Sequence, residues 1–426
     1  MTNQPKFTRY TGKGVFTSGD CCVDMPFTVQ RQFSHVVFLA QDDNYRNVLF
    51  VQFSKKQTWS LSGQLDDGRH IHADQLVHTG WGFEGHAEFS PLSGVIIGQS
   101  NQAFPVEARY PLVGMFNGKF SVEDSGWSIE VFDSEENAAC TKDLSKALGV
   151  PLEGLTLRIA KSDTTFDEYN EKAREILLLL SLATGNGVTS HRQIADWGDQ
   201  GTMEVWRKFV GEEIGPGEIV PDFKLGKFLE QVLPVWNHLE HGTKSDIRLA
   251  VSYINLSGRG YLDTRLLQIT QAWELLATAW MPKGKLNTLE SDLRKRVKCS
   301  YREWKKEHPE ADPKGHWGTR VVSPFQWPIA KRQIESLTES GNINLARVGI
   351  DFDLLKEARD SVAHTGKMTD RMRTDRPYPL LSAAQFGLQL LLLAKLGYSD
   401  LVVAHNKGWK SYEPIKTFLT SEKGVV

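Results

Sequence analysis

An arginine and a histidine five positions apart, Arg359 and His364, close a helix-like stretch, ARDSVAHTGK at residues 358–367. A guanidinium holds phosphate oxygens two at a time, and an imidazole titrates near neutrality. Those two groups suffice to cut RNA without a metal, because the ribose 2′-hydroxyl is itself the nucleophile. It needs only its proton removed and the phosphate charge stabilised. Arg359 is expected to clamp the phosphate, His364 to act as general acid and base, and Asp360 to orient the imidazole. Downstream, Lys367, Arg371, Arg373 and Arg376 fall in a short loop suited to an RNA backbone. On a straight helix, residues five apart lie about 140° from each other. Arg359 and His364 would therefore not share a face, whereas Asp360 and His364 would. The pair converges only if the helix loosens before Gly366, or if two such helices face each other, as in a homodimer. The same residues also suit a plain helix end, with His364 on the last carbonyls, Arg359 paired with Glu357 or Asp360, and Gly366 as the stop.

Other residues invite chemistry less well. Arg302 and His308 repeat the loose spacing, but Pro309 ends that helix, and Glu303 and Glu307 would repel phosphate. The surrounding stretch, residues 294–306, interleaves seven cations, Arg296 and Lys298 among them, with Tyr301 and Trp304. Charge beside stacking rings fits an RNA-binding surface and equally a solvated helix face. His70-Ile71-His72-Ala73-Asp74, with His78 and His86 beyond, places two histidines on one side of a strand. It resembles the metallo-β-lactamase signature except that Gln75 stands where that motif needs another histidine. A polar hairpin is the expectation, with no metal. Trp59, Trp81 and Trp127 either line a groove or belong to a core. Gly185-Asn186-Gly187 is too short for a phosphate loop and reads as a helix cap.

These side chains sit in a chain of 426 residues with 50 basic and 52 acidic side chains, so any nucleic-acid contact must come from a local basic surface. Four cysteines, Cys21, Cys22, Cys140 and Cys299, form neither a disulfide framework nor a zinc spacing. The first residues lack the apolar core of a signal peptide, and the apolar run at 176–183 is too short for a bilayer. A cytoplasmic protein with no membrane contact and no cofactor is expected. Up to about residue 160 short period-two runs, such as 27–30, 59–65 and 95–98, predict an antiparallel sandwich or barrel. Asp66-Asp67-Gly68 and Asn117-Gly118 read as hairpin turns. The period then becomes helical, over residues 166–182, 245–256, 262–280, 288–307, 352–365 and 383–396. Asp351 is expected to cap the fifth of these, and Ser382 with Gln385 to form a capping box on the sixth. The fold class is thus α+β: a β-rich sensor or regulatory domain over 1–160, a helical or mixed connection over 161–240, and a helical bundle over 241–426.

The pattern of arginine, a polar residue, three further positions and histidine at the end of a bundle helix resembles the HEPN superfamily of ribonucleases. More specifically, IRLAVSYINLSGRGYLDTRLLQITQAWELLA at 247–277, followed far downstream by ARDSVAHTGK, is similar to the helical domain of ApeA-type antiphage proteins, in which a β-rich domain comes first. The resemblance covers about residues 245 to 400. It implies a metal-independent endoribonuclease that forms its site across a homodimer and acts in abortive infection, with a phage-derived or small-molecule trigger at the β domain. By that match Arg359, Asp360 and His364 take the motif positions, with aspartate where asparagine is common. Glu274 falls where related helices carry an acid. The alternative expectation is a non-catalytic adaptor that uses the same bundle as a dimerisation scaffold.

Overall fold

A computed structural model describes residues 9–31, 36–40, 58–81, 87–98, 104–113, 118–133, 154–206, 215–313, 315–366, 377–406 and 409–420. The chain forms two compact units, Met1–Glu213 with Asp222–Glu230, and Ile214–Pro221 with Gln231–Val426.

The first unit is built on strands whose residues alternate between the interior and water. In β1 (Arg9–Ser18), Gly12, Gly14 and Phe16 point inward while Lys13 and Val15 are exposed. With β2 (Cys21–Arg31), β3 (Val36–Ala40), β4 (Thr58–Leu65), β5 (His70–Trp81) and β6 (Ala87–Ile97) it closes a six-stranded antiparallel barrel in the order β3-β2-β1-β4-β5-β6, sealed by pairing of β3 with β6. Phe16, Met25, Phe27, Phe38, Trp59, Leu61 and Phe89 fill it, each no more than 2% exposed. Trp59 is therefore core. Gly14 and Gly63 face each other across β1 and β4. A Cβ on Gly63 would lie 2.5 Å from the Lys13 carbonyl oxygen and 2.8 Å from the Gly14 Cα, so only glycines permit so close an approach.

β6 joins the barrel to the rest of one 12-stranded sheet. Its first half closes the barrel, and Val95–Ile97 pairs with β12 (Thr202–Trp206). The sheet continues through β11 (Arg192–Asp196), β7 (Glu107–Leu112), β10 (Leu155–Ala160), β9 (Trp127–Asp133) and β8 (Phe120–Asp124). The strands of the region after residue 160 thus belong to this sheet. Asp66-Asp67-Gly68 does turn β4 into β5, with Gly68 at φ 88° and its N–H donating to the Leu65 carbonyl at 2.9 Å. Gly118 does not make a hairpin, because β7 and β8 do not pair; Asn117 lies outside the described residues. The tight turn nearby is Ser125-Gly126, with φ of 52° and 81° between β8 and β9. Helix α1 (Phe166–Thr184) begins on a capping box of Thr165 and Glu168 and ends on Gly185 at φ 60°. It is fastened to the sheet by a buried ion pair between Lys172 and Asp124 at 2.8 Å.

The division between the units falls within α2 (Leu225–His238), which carries Pro234 in its interior. The second unit continues with α3 (His241–Leu256), α4 (Leu262–Trp280), α5 (Thr288–Glu307), α6 (His316–Val322), α7 (Gln326–Ser340), α8 (Leu345–Val348), α9 (Phe352–Thr365), α10 (Pro377–Lys395) and a hairpin of β13 (Leu401–Asn406) and β14 (Trp409–Pro414). Helix α4 is the hub and packs against α3, α7, α9 and α10. Its Trp273 is buried, donates from Nε1 to the Ala384 carbonyl at 3.1 Å, and meets Phe352 edge to face at 5.2 Å. One indole thereby ties α9 and α10 to α4. Ser382 and Gln385 lie inside α10 and not at its start; Gln385 is buried and donates to the Ser257 carbonyl at 2.9 Å. α10 has the length and composition of a membrane span, with 61% of its most apolar window buried inside the structure.

Candidate active site on helix α9

Helix α9 begins where Asp351 accepts the Leu354 N–H at 2.9 Å and ends at Gly366, whose φ of 72° no side-chain-bearing residue adopts cheaply. Phe352, Leu355 and Ala358 are buried on one side. Asp353, Glu357, Asp360 and His364 fall on the other, at the i, i+4, i+7 and i+11 positions of a single stripe. The helix is regular up to Thr365, and the Gly366 N–H still reaches the Val362 carbonyl at 2.9 Å. It does not loosen before Gly366, so within one chain Arg359 and His364 point to different sides.

Arg359 stands at the flank of the buried side and turns toward α4. Its Nη2 is ion-paired with Glu274, and its Nη1 lies 2.9 Å from Asp360 Oδ1. Its Nε is buried without a hydrogen-bond partner among the described residues. Glu274 follows Trp273 in sequence, so the packing that fixes the indole also aims this carboxylate. Asp360 is shared, since its Oδ2 takes the Lys356 ammonium. Of the two pairings open to a plain helix end, Arg359 makes the one with Asp360.

His364 is exposed and hydrogen-bonds to no described residue. It stands at one end of an open groove of about 600 Å³ lined by Trp327, Asp353, Lys356, Glu357, Asp360, Ser361 and His364. Asp353 closes the other end. Its carboxyl is held below the usual carboxylate range, first by the hydrogen bond from Lys331, at 2.5 Å, against the opposing effect of burial, and further by Trp327 Nε1 at 3.3 Å. Lys331 is raised in turn, chiefly by the same bond. The Lys356 ammonium lies 5.6 Å from the Trp327 ring centroid. The groove thus offers an imidazole, an indole and one lysine among three carboxylates. Its lysine, Lys356, is already paired with Asp360. The i, i+4 pair Lys356–Asp360 is readable in the sequence; Trp327, twenty-six residues before Asp353, carries no such signal.

The remaining candidates fall elsewhere. Lys367, Arg371, Arg373 and Arg376 lie outside the described residues. Arg296 pairs with Asp292 at 2.8 Å, while Lys298 is half-buried on another side of α5. His308 ends α5 against the Trp304 ring at 5.4 Å. In β5, His70, His72 and Asp74 share the exposed face, His72 Nε2 lies 3.0 Å from Asp74, and Gln75 at φ 54° occupies a bulge. Among the described residues no group of three or more His, Cys, Asp or Glu can hold a metal ion. The Trp81 side chain and His86 lie outside the described residues, and Trp127 packs edge-on against Tyr169 at 5.4 Å.

One feature of the helical unit carried no signal in the sequence. Asp312 is 3% exposed and accepts hydrogen bonds from the Tyr301 hydroxyl and from the Trp317 N–H at 2.8 Å. Burial alone would push its carboxyl up, but those bonds, with Lys305 nearby, hold it below the usual range. It pins Trp317 against Trp304, with ring centroids 5.2 Å apart and planes 10° from parallel, and so joins α6 to α5. No family model, no curated protein and no solved structure matches this chain.

Proposed function

We propose that the chain is a metal-independent endoribonuclease of the HEPN type, acting in antiphage defence by abortive infection, with its site completed by a second copy. The observation that carries this reading is the pairing of Arg359 with Glu274 on a helix whose exposed end presents His364 beside an open groove. Because the two side chains diverge within one chain, Arg359 of one copy must serve the His364 of the other. Two α9 helices packed face to face meet that demand. In the reaction, His364 removes the 2′-hydroxyl proton, the 2′-oxygen attacks phosphorus, and the 5′-oxygen leaves with the proton that the same imidazolium returns. The products are a 2′,3′-cyclic phosphate and a 5′-hydroxyl. Arg359 binds the phosphate oxygens that gain charge in the transition state. Glu274 holds its guanidinium in place with Asp360, whose oxygens are engaged by Arg359 and Lys356 and are not bonded to the His364 ring. The β-rich unit is the candidate receiver of a phage-derived or small-molecule trigger, and the setting is cytoplasmic. Incubating the protein with total RNA in excess chelator tests the reading. Fragments ending in cyclic phosphate are expected, and their loss in His364→Ala. Intact RNA under conditions where the protein is folded and triggered would count against it.

A second reading has its own observation. Arg359 is already held by two carboxylates, and Asp353, Glu357 and Asp360 put negative charge along the groove. That electrostatic setting suits a silent scaffold, in which the bundle dimerises and the β-rich unit recognises the partner. A stable RNA or protein complex without cleavage is the outcome that distinguishes it.

A further inference from the structure

Helix α5 is 20 residues long and none of its residues is buried. Its charges are nevertheless sorted. At 100° per residue, Lys295, Lys298, Arg302, Lys305 and Lys306 fall within an arc of about 100° on one side. Asp292, Glu303 and Glu307 flank that arc, about 40° to 100° beyond Lys306, where Asp292 already neutralises Arg296. Lys295, Lys298, Arg302 and Lys306 form no ion pair with a described residue, and Lys295, Arg302 and Lys306 are exposed. Along the arc like charges follow one another, Lys295–Lys298 at i, i+3 and Lys298–Arg302 and Arg302–Lys306 at i, i+4, where a solvated helix would gain from mixing signs. Unpaired cations held on one face repel one another, and the arrangement becomes favourable when a polyanion replaces their counterions.

The face is also kept in place. The α5 capping box joins Asn287 and Glu290, and Glu290 takes Arg332 Nη2 with both oxygens, at 2.6 and 2.7 Å. At the far end Asp312 and the Trp304–Trp317 stack hold α6 against it. A Cβ on Gly318 would come within 2.8 Å of the Tyr301 ring, so α6 lies directly on that side of α5, where Lys305 turns toward Gly315 and Asp312, and Lys295, Arg302 and Lys306 stay exposed.

We propose that the Lys295–Lys298–Arg302–Lys306 face of α5 binds the sugar–phosphate backbone of RNA and holds substrate apart from the cutting residues. The inference rests on the reading of the chain as an RNA-cutting protein and names the surface that would feed it. The full-length His364→Ala variant, which leaves the RNA intact, is titrated into fluorescein-labelled oligo(rA) while anisotropy is followed at several salt concentrations. Replacing Lys295, Arg302 and Lys306 together by glutamine should weaken binding about tenfold or more at low salt. It should also flatten the logarithmic salt slope by about two, since each single-strand phosphate contact contributes roughly 0.7. These three residues are exposed, so the melting temperature should stay that of the parent. Arg248→Gln, on the exposed side of α3, should leave the slope unchanged. An unaltered slope in the triple variant, an equal loss in Arg248→Gln, or binding of the stripe to anionic vesicles but not to RNA would each overturn the proposal. Cleavage by the unmutated chain is read separately. RNA bound through this face but never cut would defeat the nuclease reading alone, and cutting that ignores the triple variant would defeat this one alone.

Discussion

Removing Glu274 should cost the helical unit a defined amount of stability through Arg359 alone. The two side chains are 28% and 29% exposed, between a surface pair and a buried one. Surface pairs contribute about 0.2–1 kcal/mol, whereas breaking a buried pair costs about 3–5 kcal/mol. Asp360 stays on the guanidinium at 2.9 Å after Glu274 is gone, which softens the loss. A coupling of about 1–2 kcal/mol follows, or roughly 2–8 °C in melting temperature for a unit of this size. The assay is a double-mutant cycle of urea unfolding with the parent, Glu274→Gln, Arg359→Gln and the double variant. Cleavage should fall with the coupling, because a released guanidinium no longer meets the phosphate; a loss of roughly tenfold in kcat corresponds to about 1.4 kcal/mol. A coupling within about 0.3 kcal/mol of zero would refute the claim that Glu274 holds Arg359.

Three further outcomes are expected. Glu204 is buried in the first unit between Arg192, at 3.0 Å, and Trp206 Nε1, at 2.9 Å. Burial alone would raise its carboxyl, yet Arg192, Trp206 and Arg69 hold it below the usual range. Its contribution is therefore full above the unfolded carboxylate pKa and lost as pH falls through the depressed folded one; Glu204→Gln should cost about 3 kcal/mol at neutral pH and flatten the acid limb of the unfolding profile. Gly63→Ala should destabilise the barrel by about 1–3 kcal/mol in chemical unfolding, because its Cβ would meet backbone atoms that cannot rotate away. His364→Ala should leave the melting temperature within about 1 °C of the parent while cleavage is lost, because the ring hydrogen-bonds to no described residue.

How far the sequence could be read depended on whether a signal was local. α5 and α9 were legible to the residue because Asn287 and Asp351 cap them and Gly366 stops the second. α2 was not, because Pro234 falls inside a pattern that the folded chain nonetheless keeps helical, and α7 carries Pro328 in its first turn. α10 starts five residues before its predicted cap, Ser382, and Gln385 spends its amide on the Ser257 carbonyl across the bundle and not on its own helix end. Barrel closure rests on β3 meeting β6, a pairing between distant segments that no local period announces. β11 and β12 escaped notice because they follow a helix and are five residues each. At the candidate site, the different directions of Arg359 and His364 followed from helix geometry alone. Only the fold could bring Glu274 to Arg359, eighty-five residues away, or Trp327 to the groove.

Mixing two inactive chains tests the composite site most directly. Chains carrying Arg359→Ala are combined with chains carrying His364→Ala, unfolded and refolded together, and assayed for cyclic-phosphate fragments in chelator. If each site takes its guanidinium from one copy and its imidazole from the other, random pairing restores about a quarter of the parental activity, since half of the dimers carry one intact site. A mixture as inert as either variant alone, alongside a parent chain that cuts RNA, would contradict the account.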